Sequence, residues 1–384
     1  MKFRKFWSHP TWYLWLIPGL AAFIAQRLLA GHPEFVETYL ARGLFRWLSI
    51  PISTVTSLVP FSLTEALLVI GSPILLVCFV IWLIRLMRNP GKMKKAGTLL
   101  RRLAWTISCL YLVFMLLHGF NYARQPVAAS FGLPVRERSA VELEKATIWL
   151  VEQTNQLRAD RREDENGVFK LGTSITETLR TAVQAYQAAS DEYPQLAGPQ
   201  SRPKGVLLSH QWSYTGIAGM YFPFLVESNV NIDMPEHVIP ATTLHEIAHT
   251  RGFAREDEAG FIAFLAGIAD SRPDIAYSVT ADAALRALNA LYGADQEAWE
   301  RVARMLSAAA WRDIAANGAY WKQFAGPVQE TSNQINNAYL EANLQEDGVR
   351  SYGRMLDLVL AWHEVKVADG SLPGSIVALN STSR

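Results

Sequence analysis

Residues 245–249 read His-Glu-Ile-Ala-His. A separation of four is just over one helical turn, so on a helix His245 and His249 share a face and both imidazoles reach one tetrahedral Zn²⁺. Glu246 leaves the same helix about 100° from His245, close enough to hold a water on that ion without ligating it. That is the geometry of a general base. A catalytic site of this kind also needs a third protein ligand and an open fourth position. Glu256, Asp257 and Glu258 follow at once, opening what reads as a new helix. Carboxylates at a helix start also complement the macrodipole for purely structural reasons. Beside two histidines, the ligand reading is the stronger. Positions 256 and 258 diverge by about 200° on a helix, so only one of Glu256 and Glu258 can point at the ion.

Those side chains need a rigid scaffold. Pro240 is preorganised for the first turn of the motif helix, and Gly252 ends it. Ahead of it, Val206–Ser209 and Met220–Asn231 are β-branched and aromatic runs bounded by Gly and Asn, which read as short strands. Ser139–Leu157 and Thr173–Ser190 read as helices, and Pro194–Gly205, with three Pro and two Gly, reads as a long turn. After Pro240 the pattern is helical almost to Val367, with breaks near Gly252, Ser271 to Pro273, Gly293, Gly326 and Gly348. The expected fold is mainly α: residues 122–370 form a predominantly helical α+β domain with a small sheet before the motif helix. Residues 371–384 are expected to be a flexible tail.

Residues 1–121 read differently. Trp12–Ala30, Ala66–Met87 and Leu103–Phe120 are each apolar enough to cross a hydrocarbon core of about 30 Å, and no acidic residue stands between Ala66 and Arg136. The expectation is a membrane anchor of three helices. A basic start before the first run also suits a cleavable secretory signal, but its bulky residues offer no small-x-small site, so the run is expected to stay as an anchor. Lys2, Arg4 and Lys5 precede it, and Arg88, Lys92, Lys94, Lys95, Arg101 and Arg102 crowd the second connection. Positive residues stay in the cytoplasm. The N-terminus is therefore expected inside and everything after Asn121 outside, with Gly31–Glu65 an outer loop lying along the interface through Phe45, Trp47 and Leu48. Thirty-six Lys and Arg against 35 Asp and Glu leave a net charge of +1, which gives no electrostatic reason to bind nucleic acid. Cys78 and Cys109 both sit in apolar runs, which excludes a Cys-rich zinc module and a disulfide framework.

The order Glu256-Asp257-Glu258-Ala259 resembles the Glu-x-Glu-Ala-Asp or Glu-x-x-Ala-Asn element of gluzincin-type metallopeptidases, including the prenyl-protein endopeptidases. In those families the Glu three residues before the Ala ligates zinc. The resemblance thus implies Glu256 as third ligand, with Glu258 as alternate. Their Asp or Asn after the Ala orients a metal histidine, and this chain has Gly260 there. Most of the chain resembles a bacterial family, domain of unknown function 3810, regarded as membrane zinc metallopeptidases of zincin-like fold. The likeness rests on His245–Phe253 and Arg255–Ala259, on Tyr221-Phe222-Pro223-Phe224 and Asn229-Val230-Asn231, and on Tyr339-Leu340, Asn343, Gln345, Gly348 and Ser351-Tyr352-Gly353.

The function expected is hydrolysis of a peptide or protein substrate at a bacterial plasma membrane. His245, His249 and Glu256 would hold Zn²⁺, and Glu246 would activate its water. The alternative is a non-catalytic zinc-binding sensor or scaffold, which has no need of Glu246 and closes the fourth position with a protein ligand. Tyr339 and Tyr352 are candidates for stabilising the oxyanion. His363 is expected to be an ordinary packing or surface histidine, while His210 and His237 flank the strands within reach of the cleft, where lone loop histidines usually do nothing special.

Overall fold

The computed structural model describes residues 14–88, 92–345 and 353–376. Trp12, Lys2, Arg4, Lys5, Gly348, Ser351 and Tyr352, which entered the expectations above, lie outside the described residues, as does the end of the tail from 377. The chain is mainly helical with a small sheet.

Helix α1 (Ile17–Leu29) is followed by α2 over Pro33–Ser57, whose first part is wound as a π-helix at Val36–Phe45. Then come α3 (Leu63–Met87) and α4 (Lys92–Leu117). Among the described residues, α3 and the Lys95–Leu117 stretch of α4 are each long and apolar enough to cross a membrane. The first apolar run reaches that length only if its 116° bend into α2 is counted within one broken span. The segment expected to lie along the interface is instead tied into the fold. Phe45 is buried, its ring about where a side chain on Gly252 would fall, and Leu48 packs with Leu117, Tyr221 and Val226. Trp47 alone of the three stays exposed.

Ser139 caps α5 (Ala140–Arg158) through a capping box with Glu142. The single helix expected over 173–190 is two, α6 (Ile175–Thr181) and α7 (Val183–Glu192). The strands are also shorter than expected. β1 is Lys204–Val206, and Ser209 begins a helical turn rather than ending a strand. The run 220–231 splits into β2 (Gly219–Phe222) and β3 (Glu227–Asn231) because Pro223 opens a tight turn and Val226 takes a left-handed φ of 47°. β3 lies between the others, parallel to β1 and antiparallel to β2, with Gly205 opposite Val230 and Tyr221 opposite Ser228.

Every residue of β3 is buried although four of the five are polar. Each finds partners, as buried polar groups must. Glu227 accepts from Thr64 N (2.9 Å) and Thr64 Oγ1 (2.8 Å), Ser62 Oγ donates to Asn229 Oδ1 (2.6 Å), and Ser228 Oγ donates to the Glu246 carbonyl (2.9 Å). Residues from both sides of position 121 therefore build one packed unit around the sheet.

The motif helix is α8 (Ile239–Thr250), followed by α9 (Glu256–Ala269) and α10 (Pro273–Ala294), which ends one residue past Gly293. After these come α11 (Gln296–Ala303), α12 (Ala308–Lys322), α13 (Pro327–Ala342) and α14 (Met355–Ala368). Leu244, Ile247 and Ala248 bury one face of α8 in a core with Phe261, Phe264 and Leu265 of α9 and Tyr277 and Ala284 of α10. That core fixes the opposite, histidine-bearing face.

Candidate metal centre

Three features aim the ligand set. The turn after α8 is a Schellman motif: Phe253 N donates to the Ala248 carbonyl (3.2 Å) and Gly252 N to the His249 carbonyl (3.0 Å), with Gly252 at a φ of 83° that glycine alone adopts without strain. The chain reverses there, and α9 begins with Glu256 facing the histidines. The same turn presents the Phe253 carbonyl to His249 Nδ1 at 2.7 Å. An Nδ1 that donates there leaves Nε2 as the lone-pair nitrogen, the tautomer a metal requires.

His245 Nε2 and His249 Nε2 are 3.2 Å apart, and Glu256 Oε2 is 3.0 Å from the first and 3.6 Å from the second. A tetrahedral zinc with bonds of about 2.0–2.1 Å needs ligand atoms about 3.3 Å apart. The donor set fits that ion in element type and spacing. Among the described residues, His245, His249 and Glu256 are the His, Cys, Asp and Glu side chains grouped closely enough to hold a metal. Burial alone would raise the Glu256 carboxyl, but the two imidazoles outweigh it and hold it well below its ordinary range. Burial likewise lowers His249, yet Glu256 beside it pushes the imidazole up to about 9.

Glu246 stands beside this group without joining it. It is buried, its Oε2 has no hydrogen-bond partner, and its carboxylate packs close to Gly219 of β2. A Cβ on Gly219 would fall 2.5 Å from Glu246 Oε1, so glycine is what lets the strand approach. Burial is the main influence on its carboxyl and raises it above the ordinary value.

Glu258 is turned away: its Oε1 accepts from Val127 N at 2.8 Å and from Arg255 Nη1 at 2.5 Å. The Asp or Asn position of the related motif is Gly260, and a Cβ there would lie 3.9 Å from His245 Nδ1 and 3.1 Å from Met355 Cγ. Met355 fills the space in which a longer side chain would reach the imidazole.

The centre opens into a cavity of about 860 Å³. Tyr339 lines it, while His363 lies elsewhere in the fold with its ring tilted against that of Trp149 at 5.3 Å. His210 is exposed and pairs with Asp233 at 3.0 Å. His237 does reach the cleft: it is buried in the cavity wall, its Nδ1 without a partner, and burial pulls it down to about 4. His118 was missed altogether. It follows the last residue of α4, lines the cavity, and sets its ring 5.9 Å from that of His249 and 5.2 Å from that of Tyr221. No spacing signal links positions 118 and 249, since the chain between them makes their meeting purely tertiary.

No curated protein and no solved structure matches the chain. A family model described as protein of unknown function (DUF3810) matches residues 40–360, and the chain belongs to that family.

Proposed function

We propose that this chain is a membrane-anchored zinc metallopeptidase of zincin-like fold, held in the bacterial plasma membrane by three spans with its site outside the cytoplasm. One observation carries the reading: three ligand atoms converge at tetrahedral spacing while a second acidic side chain, Glu246, lies buried beside them and outside their set. When bound, zinc acidifies a water and polarises the scissile carbonyl. Glu246, its basicity raised by burial, takes the proton from the attacking water and gives it to the leaving amide nitrogen. β2 is an edge strand beside Glu246, so an extended peptide can pair along it and lie across the centre.

A scaffold with structural zinc calls for a fourth protein donor. Among the described residues the group stops at three, which favours the open, catalytic reading. The test is zinc stoichiometry on the full chain together with cleavage of an unbiased peptide library. Glu246→Gln should keep about one zinc per chain and the fold while hydrolysis falls at least about a hundredfold. Near-normal turnover in that variant would overturn the mechanism.

A further inference from the structure

The wall of the cavity nearest the metal centre is the end of an apolar helix. Phe114 and His118 both line the cavity, and Leu117 between them is the last residue of the Lys95–Leu117 stretch. Those 23 residues extend about 34 Å at 1.5 Å each, enough to put Leu117 at the edge of a hydrocarbon layer about 30 Å thick. Tyr221 Oη donates to the Leu117 carbonyl at 3.2 Å, so β2, the strand beside Glu246, is pinned to that helix end. The start of α3 is pinned to the neighbouring strand through Ser62–Asn229 and Thr64–Glu227. Two independent contacts thus hold the sheet at the same end of both apolar helices. The rim continues this character: Met220, Phe222, Phe224 and Ile335 line the cavity, and Ile335 is 67% exposed.

We propose that the site acts on polypeptides anchored in the same membrane, cutting among the first residues to emerge from it, next to a bulky apolar side chain. The proposal rests on the peptidase reading and deepens it. The His118 ring stands at the helix end with its centroid 5.9 Å from that of His249, so a lipid boundary at Leu117 lies on the order of 10 Å from the centre. An extended chain covers that distance in about three residues. A peptide tethered in the bilayer reaches β2 without leaving the surface, and its apolar side chains exchange lipid for the cavity wall at little cost.

The experiment uses the full-length, zinc-loaded protein in phosphatidylcholine vesicles. The probe is a mixed-sequence peptide library made with and without an N-terminal palmitoyl chain. The tethered library should be cut at least about tenfold faster, at bonds within about five residues of the acyl chain, with aromatic or large aliphatic residues enriched beside the cut. Equal rates for both libraries, or cuts spread evenly along the peptide, would overturn the proposal and leave the peptidase reading standing. No zinc-dependent cleavage of either library would sink both. A second measurement needs no turnover: Phe224→Cys, in a Cys78→Ser and Cys109→Ser background, carries a nitrobenzoxadiazole label in vesicles containing lipids spin-labelled near the headgroup. Quenching relative to unlabelled lipid is expected. Unchanged fluorescence would place the rim away from the bilayer and overturn the proposal by itself.

Discussion

At the residue scale, the two carboxylates that the sequence left as rival ligands have opposite surroundings. Glu256 is aimed at two imidazole nitrogens, and Glu258 at a guanidinium and a backbone amide. Glu256→Ala should therefore abolish stoichiometric zinc binding. Glu258→Ala should keep the zinc but lower the unfolding free energy by roughly 2 kcal/mol, because the Val127 amide and Arg255 lose a charged acceptor. Zinc analysis and thermal melts on both variants check this, and zinc lost with Glu258 but kept with Glu256 would exchange their roles. His237 gives a pH signature away from the ligands. Its folded value of about 4 lies below the ordinary 6.5, so the unfolded chain binds its proton first. Stability from the neutral imidazole is full above pH 6.5 and lost as the pH falls through 4, by at most about 3 kcal/mol. Asp313, Arg158 and Asp282 also act on it, too weakly to cancel the burial. The quantity to measure is the difference in melting temperature between the native chain and His237→Gln. It should shift in favour of the variant between pH 6.5 and 4, and a difference constant with pH would show that His237 is not held neutral.

At the scale of elements, the motif helix, its glycine stop and the acidic helix start were legible because all are local: spacing along a helix and a left-handed turn residue carry them. The strands were harder to read. Met220–Asn231 looks continuous by residue type, yet Pro223 and the left-handed Val226 make it a hairpin, and β3 is buried with polar residues that periodicity assigns to the surface. Their partners, Ser62 and Thr64, lie more than 160 positions away. The same blindness hid the latch behind the metal centre. Arg124 forks onto Glu37 of α2 with Nε and Nη2 at 2.7 and 2.9 Å, donates from Nη1 to the Gly252 carbonyl at 2.8 Å, and stacks 4.1 Å over the Phe253 ring. This bidentate pair holds the turn that aims Glu256 and the Phe253 carbonyl. Arg124→Met leaves the buried Glu37 only the half-exposed Arg42, at 2.8 Å from Oε1, and should cost roughly 2 to 3 kcal/mol, with zinc binding weakened as the turn frays. Adding Glu37→Gln removes the half-compensated charge and should restore part of the stability but not the zinc affinity, since the tie to Gly252 stays broken. Recovery of neither, or of both together, in melts and zinc titrations would show that the latch does not position the turn.

At the scale of the whole molecule, topology decides which compartment the site serves. The α3–α4 connection and the first turns of α4 carry the densest positive charge of the apolar third, in Arg88, Lys92, Lys94, Lys95, Arg101 and Arg102, and such segments tend to remain in the cytoplasm. The opposite helix ends cannot be separated from the sheet. Lys204 Nζ, buried, donates to the Thr56 carbonyl at 3.0 Å and also to that of Val59, and Glu65 accepts from Leu207 N and Leu208 N at 2.9 and 2.7 Å. In the proposed three-span topology, those bonds keep residues 56–65 and the sheet on one face of the membrane and the start of α4 near Lys95 on the other. With Cys78→Ser and Cys109→Ser as background, Leu207→Cys, at a position 82% exposed, should react with a membrane-impermeant maleimide in intact cells. Lys95→Cys should react only after the cells are permeabilised. A reporter fused after Arg384 should be active outside the cytoplasm for the same reason. The reverse labelling pattern would keep every contact described here but turn the metal centre inward, making its substrates the cytoplasmic ends of membrane polypeptides.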